Sequence, residues 1–387
     1  MNNFLHQRAK HALTIIQDYK GELPLHHYLK NYFRQHKNMG SRDRKLCSEL
    51  VYSFFRLGNS YQGDTITKLV YAAFLCAEMD VAFLFEQHGF LALHLQKEIQ
   101  EKIQILRQHD EHFQPENIFP FISQVSKSID AQSFALSMLS KPRTFIRIPA
   151  DRQIDLAADL INKEVNFKIE SDTALSFEPR LNVSDILKDE FTYEVQDLSS
   201  QETAEYLATA GKEYWLDCCA ASGGKSLLLH AQNPEVQIMA TDIRESILVN
   251  YEERMKKNDF EQYRTQVWDA AGDIPLGVQT QFDGIIADVP CTGSGTWSRH
   301  PEQLSFFDVN SIEVYQSKQR AIIKNVVPYL KSGGRLVYIT CSVFEQENEQ
   351  MSEYLVKELG MNRVAEKYLL GAERKSDSMF MATFIKA

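Results

Sequence analysis

Two stretches of the chain hold the residues best suited to do chemistry. In the first, Phe282 to Trp297, an apolar run stops abruptly at Asp288, Pro290, Cys291, Gly293 and Gly295, the pattern of a buried strand that ends in a tight, reactive loop. In the second, Arg335 to Ile339 runs into Thr340, Cys341 and Ser342. Either cysteine alone would read equally well as an inert core residue. Two thiols and an acid at neighbouring strand ends fit a particular reaction. Carbon 5 of cytosine is too electron-poor to accept a methyl cation, but thiolate addition at carbon 6 turns the ring into an enamine that can. The thiol must be partly ionised, and an acid must hold the ring nitrogen edge, a task that suits Asp288. Loss of the carbon 5 proton and rupture of the thioether then give a second thiol a use. The base must be unpaired or flipped out to reach such a pocket.

A third stretch, Asp217 to Lys225, reads Asp-Cys-Cys-Ala-Ala-Ser-Gly-Gly-Lys. Gly224-Lys225-Ser226 resembles the end of a P-loop, but Cys219 stands where that motif needs its first glycine, and the spaced glycines of a dinucleotide site are missing. What remains is a loop that lets a ligand lie against the backbone at a helix start, where a carboxylate is favoured. Asp242 is placed for a ribose diol and Asp269 for an adenine amino group. Each acid alone serves as well for a cap or turn. In order, with no phosphate cradle, the set points to S-adenosylmethionine.

The elements that must position these groups are strands alternating with helices beyond Gln196, the signature of a parallel sheet covered on both faces. Strands are expected at Tyr214 to Cys218, Gln237 to Thr241, Gln266 to Trp268, Phe282 to Ala287 and Arg335 to Ile339. Helices are expected at Glu245 to Lys257 and Ser311 to Tyr329, with Lys331 to Gly334 turning the last into the fifth strand. Ligands of such sheets bind at the carboxyl ends of the strands, and five strand ends here deliver polar or reactive groups to one rim. Residues 1–135 show only apolar residues at helical spacing, as in Leu50, Val51, Phe54, Phe55 and in Leu91, Leu93, Leu95, Ile99, Ile103, and read as a helical bundle that Pro115 and Pro120 interrupt near its end. Residues 140–195 read as a small α+β module, with strands at Thr144 to Ile148 and Val165 to Ile169 around a helix from Ile154 to Asn162. Residues 196–387 form the third region.

Composition sets the outer bounds. The chain has 387 residues, a net charge of −10 and six cysteines without CxxC spacing, which excludes a disulfide framework and fits a reducing cytoplasm. Neither a signal peptide nor a membrane span is expected, since Glu78 and Asp80 interrupt the longest apolar run. Charge is uneven: residues 1–59 carry ten lysines and arginines against four acids. A basic head on an acidic body suits a nucleic-acid-facing domain joined to a small-molecule domain, and a solvated helical surface gives the same count. Within the head, Met39 to Lys45 sets three cations, Arg42, Arg44 and Lys45, beside Gly40, either a helix start or a phosphate-contacting corner.

On these residues the chain resembles the Sun-family, RsmB-like RNA cytosine-5 methyltransferases, over nearly its whole length. Asp217 to Lys225 is similar to the family's first cofactor motif, Asp288 to Gly295 to its fourth, and Thr340 to Ser342 with Glu347 to Glu349 to its sixth. Gln196 to Gln201 resembles the entry to the catalytic domain, Asp377 to Ala382 the final strand, and Met39 to Arg44 a segment of the N-terminal helical domain related to the antitermination factor NusB. The resemblance implies a Rossmann-like α/β, S-adenosylmethionine-dependent methyltransferase domain behind an all-α NusB-like domain and the α+β module. It implies Cys341 as nucleophile, Cys291 as an aid to product release and Asp288 as a base contact. Cofactor contacts implied are Cys219, Ala220, Ala221, Ser222, Gly223, Gly224, Lys225, Asp242, Asp269 and Asp288. The partner implied is RNA, 16S-type rRNA or an assembling small subunit, with no metal, no membrane and a monomeric enzyme. Two departures stand out: Ser222 replaces the family's usual proline, and Arg147-Ile-Pro149 replaces a commoner Arg-x-Asn. The rival reading is a non-catalytic RNA-binding assembly factor on the same scaffold; DNA methylation is disfavoured, since DNA enzymes attack with the motif-four cysteine.

Overall fold

A computed structural model describes residues 7–85, 88–179, 181–187, 192–207, 209–277 and 281–387. The chain forms two compact units, one of Met1–Ser123, Ile129–Lys141 and Trp297–Val309, the other of Gln124–Ser128, Pro142–Thr296 and Asn310–Ala387.

The first unit is helical, with helices Gln7–Asp18, Leu25–Gln35, Ser41–Arg56, Thr65–Cys76, Ile99–His109 and Ala131–Ser137. No strand occurs among its described residues. Helix Thr65–Cys76 is buried along most of its length, and Asp64 caps it by accepting from the backbone N–H groups of Ile66 and Thr67, satisfying two donors that a helix start leaves open. The apolar spacing from Leu91 to Ile103 does not give one helix. A single turn, Gly89–Ala92, buries Leu91, Leu93 is 81% exposed, and the next helix starts only at Ile99. Beneath the core, buried Lys141 pairs with Glu49 at 2.6 Å and Glu78 at 2.9 Å. Buried Arg56 donates to the carbonyls of Met138 and Ser140.

In the second unit, β1 (Thr144–Arg147), β2 (Phe167–Ser171), β3 (Ala174–Phe177) and β4 (Glu194–Val195) form an antiparallel sheet in the order β2-β3-β1-β4. Helix Gln153–Asn162 sets Leu156 and Leu160 against Ile146, Leu175 and Phe177. The larger sheet holds β5 (Tyr214–Asp217), β6 (Gln237–Asp242), β7 (Tyr263–Val267), β8 (Phe282–Asp288), β9 (Leu330–Thr340), β10 (Met361–Leu369) and β11 (Met379–Lys386) in the order β10-β11-β9-β8-β5-β6-β7. Strands β5 to β9 are parallel, and β11 runs antiparallel to both β9 and β10.

Both faces of this sheet are covered, and the two-residue period of each strand feeds both layers. Leu216, Ile285, Leu336 and Tyr338 point into one core with Ile322 and Ile323 of helix Ser311–Val326. Trp215, Ile286, Val337 and Ile339 point into the other, with Leu227, Leu228 and Tyr251. Gly284 has no room for a side chain, since a Cβ there would lie 2.3 Å from the Trp215 ring.

In the larger sheet, two expected elements differ. The third parallel strand spans Tyr263–Val267, ahead of Gln266 to Trp268, because Trp268 turns inward and donates to the Ile274 carbonyl at 2.8 Å. Lys331 to Gly334 lies inside β9, where Gly333 takes φ +74° and the pairing with β8 slips between Phe282 and Gly284. The glycines make a bulge in the strand's first residues where a turn was expected.

Candidate active site

The chain runs outward from β5 to β6 and β7, then returns to lay β8 on the other side of β5. That reversal opens a crevice at the carboxyl ends of β5 and β8, the place where open parallel sheets bind ligands. Asp217 ends β5 and Asp288 ends β8, with Asp242 and Thr340 ending the neighbouring strands.

The loop after β5 is held in a conformation few sequences tolerate. Ala221 sits at φ +46° and Gly223 at φ +86°, and a Cβ on Gly223 would lie 2.4 Å from the end of the Met255 side chain and 2.7 Å from the Tyr251 ring. A non-glycine residue at positive φ is strain that the surroundings must hold in place. They do so through the backbone: Ala220 donates to the Thr241 carbonyl at 2.9 Å and Ala221 to the Asp242 carboxylate at 3.1 Å. Ser222 has its own tether. Arg254, paired with Glu194 at 2.6 Å, reaches the Ser222 hydroxyl at 3.1 Å and its carbonyl at 3.3 Å. A guanidinium fixed by a buried carboxylate thus restrains the loop where a proline would have done so through its ring.

Asp217 is fully buried and accepts from the Ser226 hydroxyl at 2.7 Å, with its second oxygen unpartnered. Burial pushes its carboxyl up to about 7, against the Ser226 hydrogen bond, with Asp288 and Asp242 adding repulsion. Lys225 bridges to Asp288 at 3.1 Å and to the Ser200 hydroxyl at 2.8 Å. Asp242 is only 7% exposed and holds Arg244 through that residue's backbone N–H at 3.0 Å and Nε at 3.1 Å. Although burial opposes it, these hydrogen bonds lower the Asp242 carboxyl. Asp269 stands apart: it is exposed and accepts from the Ala271 N–H at 3.0 Å.

The two thiols meet. Cys291, three residues past β8, and Cys341, next after β9, lie with their sulfurs 3.3 Å apart, and both are half-buried. The hydrogen bond with Cys341 raises the Cys291 thiol well above its ordinary value, helped by burial and by the nearby Glu347 carboxylate. All six cysteines are free.

One buried carboxylate that motif spacing alone gave no role stitches the two cysteine loops together. Glu347 accepts from the Thr292 backbone N–H at 2.9 Å and hydroxyl at 2.5 Å, from the Ser342 hydroxyl at 2.5 Å and from the Gln319 amide at 3.0 Å. Thr292 and Ser342 are the residues that follow the two cysteines. Gln319, on helix Ser311–Val326, also donates to the Pro290 carbonyl at 3.0 Å. Burial raises the Glu347 carboxyl, and these four donors oppose the shift. Gly295 closes the same knot, donating to the Cys341 carbonyl at 2.9 Å and accepting from Ser378 at 2.9 Å. The sequence signal for Glu347 was its place in Glu347 to Glu349; the hydroxyls after both cysteines complete it.

Residues 204–383 match the model of the family described as 16S rRNA methyltransferase RsmB/F. Over this segment the chain is similar to the RsmB/F methyltransferases. The RsmB/F segment contains every motif residue above from Asp217 to Asp377. Among curated proteins, the chain is 38% identical over 158 residues to ribosomal RNA small subunit methyltransferase B of Proteus mirabilis, covering 40% of this chain and 37% of that protein. It is 34% identical over 203 residues to the protein of the same name from Shigella sonnei, covering 50% and 46%. The matched region is thus less than half the length of either relative. Among solved structures, PH0851 superposes with a TM-score of 0.70 at 16% identity over 97% of both chains. NSun6 from Pyrococcus horikoshii with SFG gives 0.58 at 16% identity, over 69% of this chain and 97% of that one. These likenesses establish the Rossmann-like methyltransferase fold with a helical N-terminal region. Among the described residues, no group of three or more His, Cys, Asp or Glu side chains is arranged to hold a metal, and no helix is long and apolar enough to cross a membrane.

Proposed function

We propose that the protein transfers a methyl group from S-adenosylmethionine to carbon 5 of a cytosine in small-subunit rRNA. The observation that carries this reading is the pair of sulfurs 3.3 Å apart at the ends of adjacent strands β8 and β9, with the Asp288 carboxylate at the end of β8. Cys341 is the nucleophile. Its sulfur bonds to carbon 6 of the ring, and the displaced pair moves to carbon 5. Cys291, with its sulfur 3.3 Å away, gives its proton to solvent and as a thiolate takes the carbon 5 proton; the pair from that bond restores the ring double bond, and Cys341 leaves with the sulfur–carbon pair. Asp288, with Lys225 fixing its orientation, takes the ring nitrogen edge.

S-adenosylmethionine, when bound, supplies the electrophilic methyl group. The donor set fits it. A strained loop free of side chains at Gly223 and Gly224 leads into helix Gly224–Gln232, so open backbone N–H groups meet the carboxylate of the amino-acid end. Asp242 is a buried acid whose exposed partner, the Arg244 side chain, can yield to a ribose diol, and Asp269 is free to reach an adenine amino group.

Residues 1–135 serve as a NusB-like RNA-binding domain, residues 140–195 as a small α+β module and residues 196–387 as the catalytic domain of a monomeric cytoplasmic enzyme. The test is transfer of radiolabel from the cofactor to RNA, followed by nucleoside analysis. Label is expected in 5-methylcytidine, absent from DNA and lost in Cys341→Ala. RNA binding without incorporation would identify a non-catalytic assembly factor instead, and label retained by Cys341→Ala would remove Cys341 from the attacking role.

A further inference from the structure

The first unit contains a pocket of about 460 Å³ between helices Leu25–Gln35 and Ser41–Arg56, within the range of roughly 300–1,000 Å³ in which small ligands are bound. Its walls follow from helical spacing. His26, Lys30, Phe33 and Arg34 recur three or four residues apart on one helix, and Arg44, Ser48 and Tyr52 four apart on the other, so each set shares a face. Three of the lining residues are full cations, two are aromatic, and none is an acid.

The wall is pre-arranged. Arg44 donates through Nε to the Met39 carbonyl at 2.9 Å, which holds its guanidinium 6.0 Å from the centre of the Phe33 ring. Tyr52 keeps its proton, since burial and then the charge of Glu302 push the phenol up to about 12. It is therefore a hydrogen-bond donor at any physiological pH. Lys30 and Arg34 are exposed, and neither is held in an ion pair with a described residue.

Cations without counter-ions beside an aromatic face describe a site for a group with both a flat ring and negative charge. Single-stranded nucleic acid has this chemistry, because bases stack on aromatic and guanidinium planes while Lys and Arg take the phosphates. A protein partner would have to bring a separate ring and carboxylate to the same place, whereas a nucleotide carries flat ring and negative charge in one unit. We propose that this pocket holds one unpaired nucleotide of the RNA substrate, with its base against Phe33 and Arg44 and its phosphate on Lys30 and Arg34. The inference rests on RNA being the substrate and assigns a base-holding contact on a helical unit whose part in binding was otherwise inferred from charge and resemblance.

The full chain is titrated with a labelled, mixed-sequence single-stranded RNA over a range of salt, as wild type, as Lys30→Glu/Arg34→Glu and as Phe33→Leu. The charge reversal is expected to weaken binding at least about tenfold and to flatten the salt dependence, because two phosphate contacts are lost. Phe33→Leu is expected to weaken it about five- to tenfold with the salt slope unchanged, as loss of one stacked base requires. Photo-crosslinking of 4-thiouridine RNA to the wild type, which needs no variant to fold, is expected to label residues 25–52. Wild-type affinity in both variants, or crosslinks confined to other residues, would overturn the pocket and leave the methyl-transfer reading intact. Efficient competition by free nucleoside monophosphate would overturn it in favour of a small-molecule site. No RNA binding by the wild type would contradict the proposed function as well.

Discussion

Glu347 shows how much of the site depends on a residue that performs no chemistry itself. Its carboxylate accepts four hydrogen bonds, and their donors sit immediately after Cys291, immediately after Cys341 and on the helix behind them. A glutamine would turn an N–H group toward the donors of Thr292 or Ser342, and an unsatisfied buried donor costs about 1–3 kcal/mol. The loops would part to relieve it, and the sulfur spacing with them. Glu347→Gln is therefore expected to lower kcat about a hundredfold, the scale on which an ångström of misplacement acts, while KM for RNA changes little. Steady-state kinetics on the variant checks this; an unchanged kcat would show that the loops hold their places without the carboxylate. Motif spacing put Asp288, Cys291 and Cys341 on neighbouring strand ends. The part played by Glu347 could not be read the same way, because it depends on donors 55 and 28 residues away in sequence.

At the scale of elements, the loop after β8 is built from two glycines with different reasons to be glycine. Gly295 has no positive φ, but a Cβ there would lie 2.0 Å from the Ser378 carbonyl oxygen and 3.0 Å from that of Cys341, both backbone. Gly293 has φ +70°, and a Cβ there would meet only the Thr296 hydroxyl, at an ordinary contact distance of 3.6 Å. Gly295→Ala should therefore force two strand ends apart and destabilise by roughly 1–3 kcal/mol, as overpacking does. Gly293→Ala should cost about 1 kcal/mol, the left-handed penalty alone. Thermal unfolding of the two variants compares them, and a smaller loss for Gly295→Ala would contradict the close approach. The parallel strands were legible because β5, β8 and β9 are buried on both faces and read as apolar runs. Edge strands were less so. Strand β7 has a mixed, half-exposed sequence, and β10 alternates weakly, with Val364 65% exposed, so pairing with β11 and not pattern makes it a strand.

For the whole molecule, the net charge of −10 conceals a head in which cations outnumber acids ten to four over residues 1–59, and the pocket between two of its helices has no acid in its lining. The acidic remainder carries the glycine loop after β5 and the two thiols. This uneven charge was visible in composition. What composition could not supply was the sulfur contact itself, which exists only because the sheet order sets β8 beside β9 and the two loops are tied at their roots. The account's central claim is that these thiols divide one covalent cycle between them, with Cys341 bonding to the base and Cys291 helping to free it. The most direct measurement uses the full-length Cys291→Ser variant, incubated with unmodified substrate RNA and S-adenosylmethionine and run on a denaturing gel. A denaturation-resistant protein–RNA species is predicted for Cys291→Ser, absent when Cys341→Ala is added to it. No such species, or one that survives the loss of Cys341, would contradict the assignment.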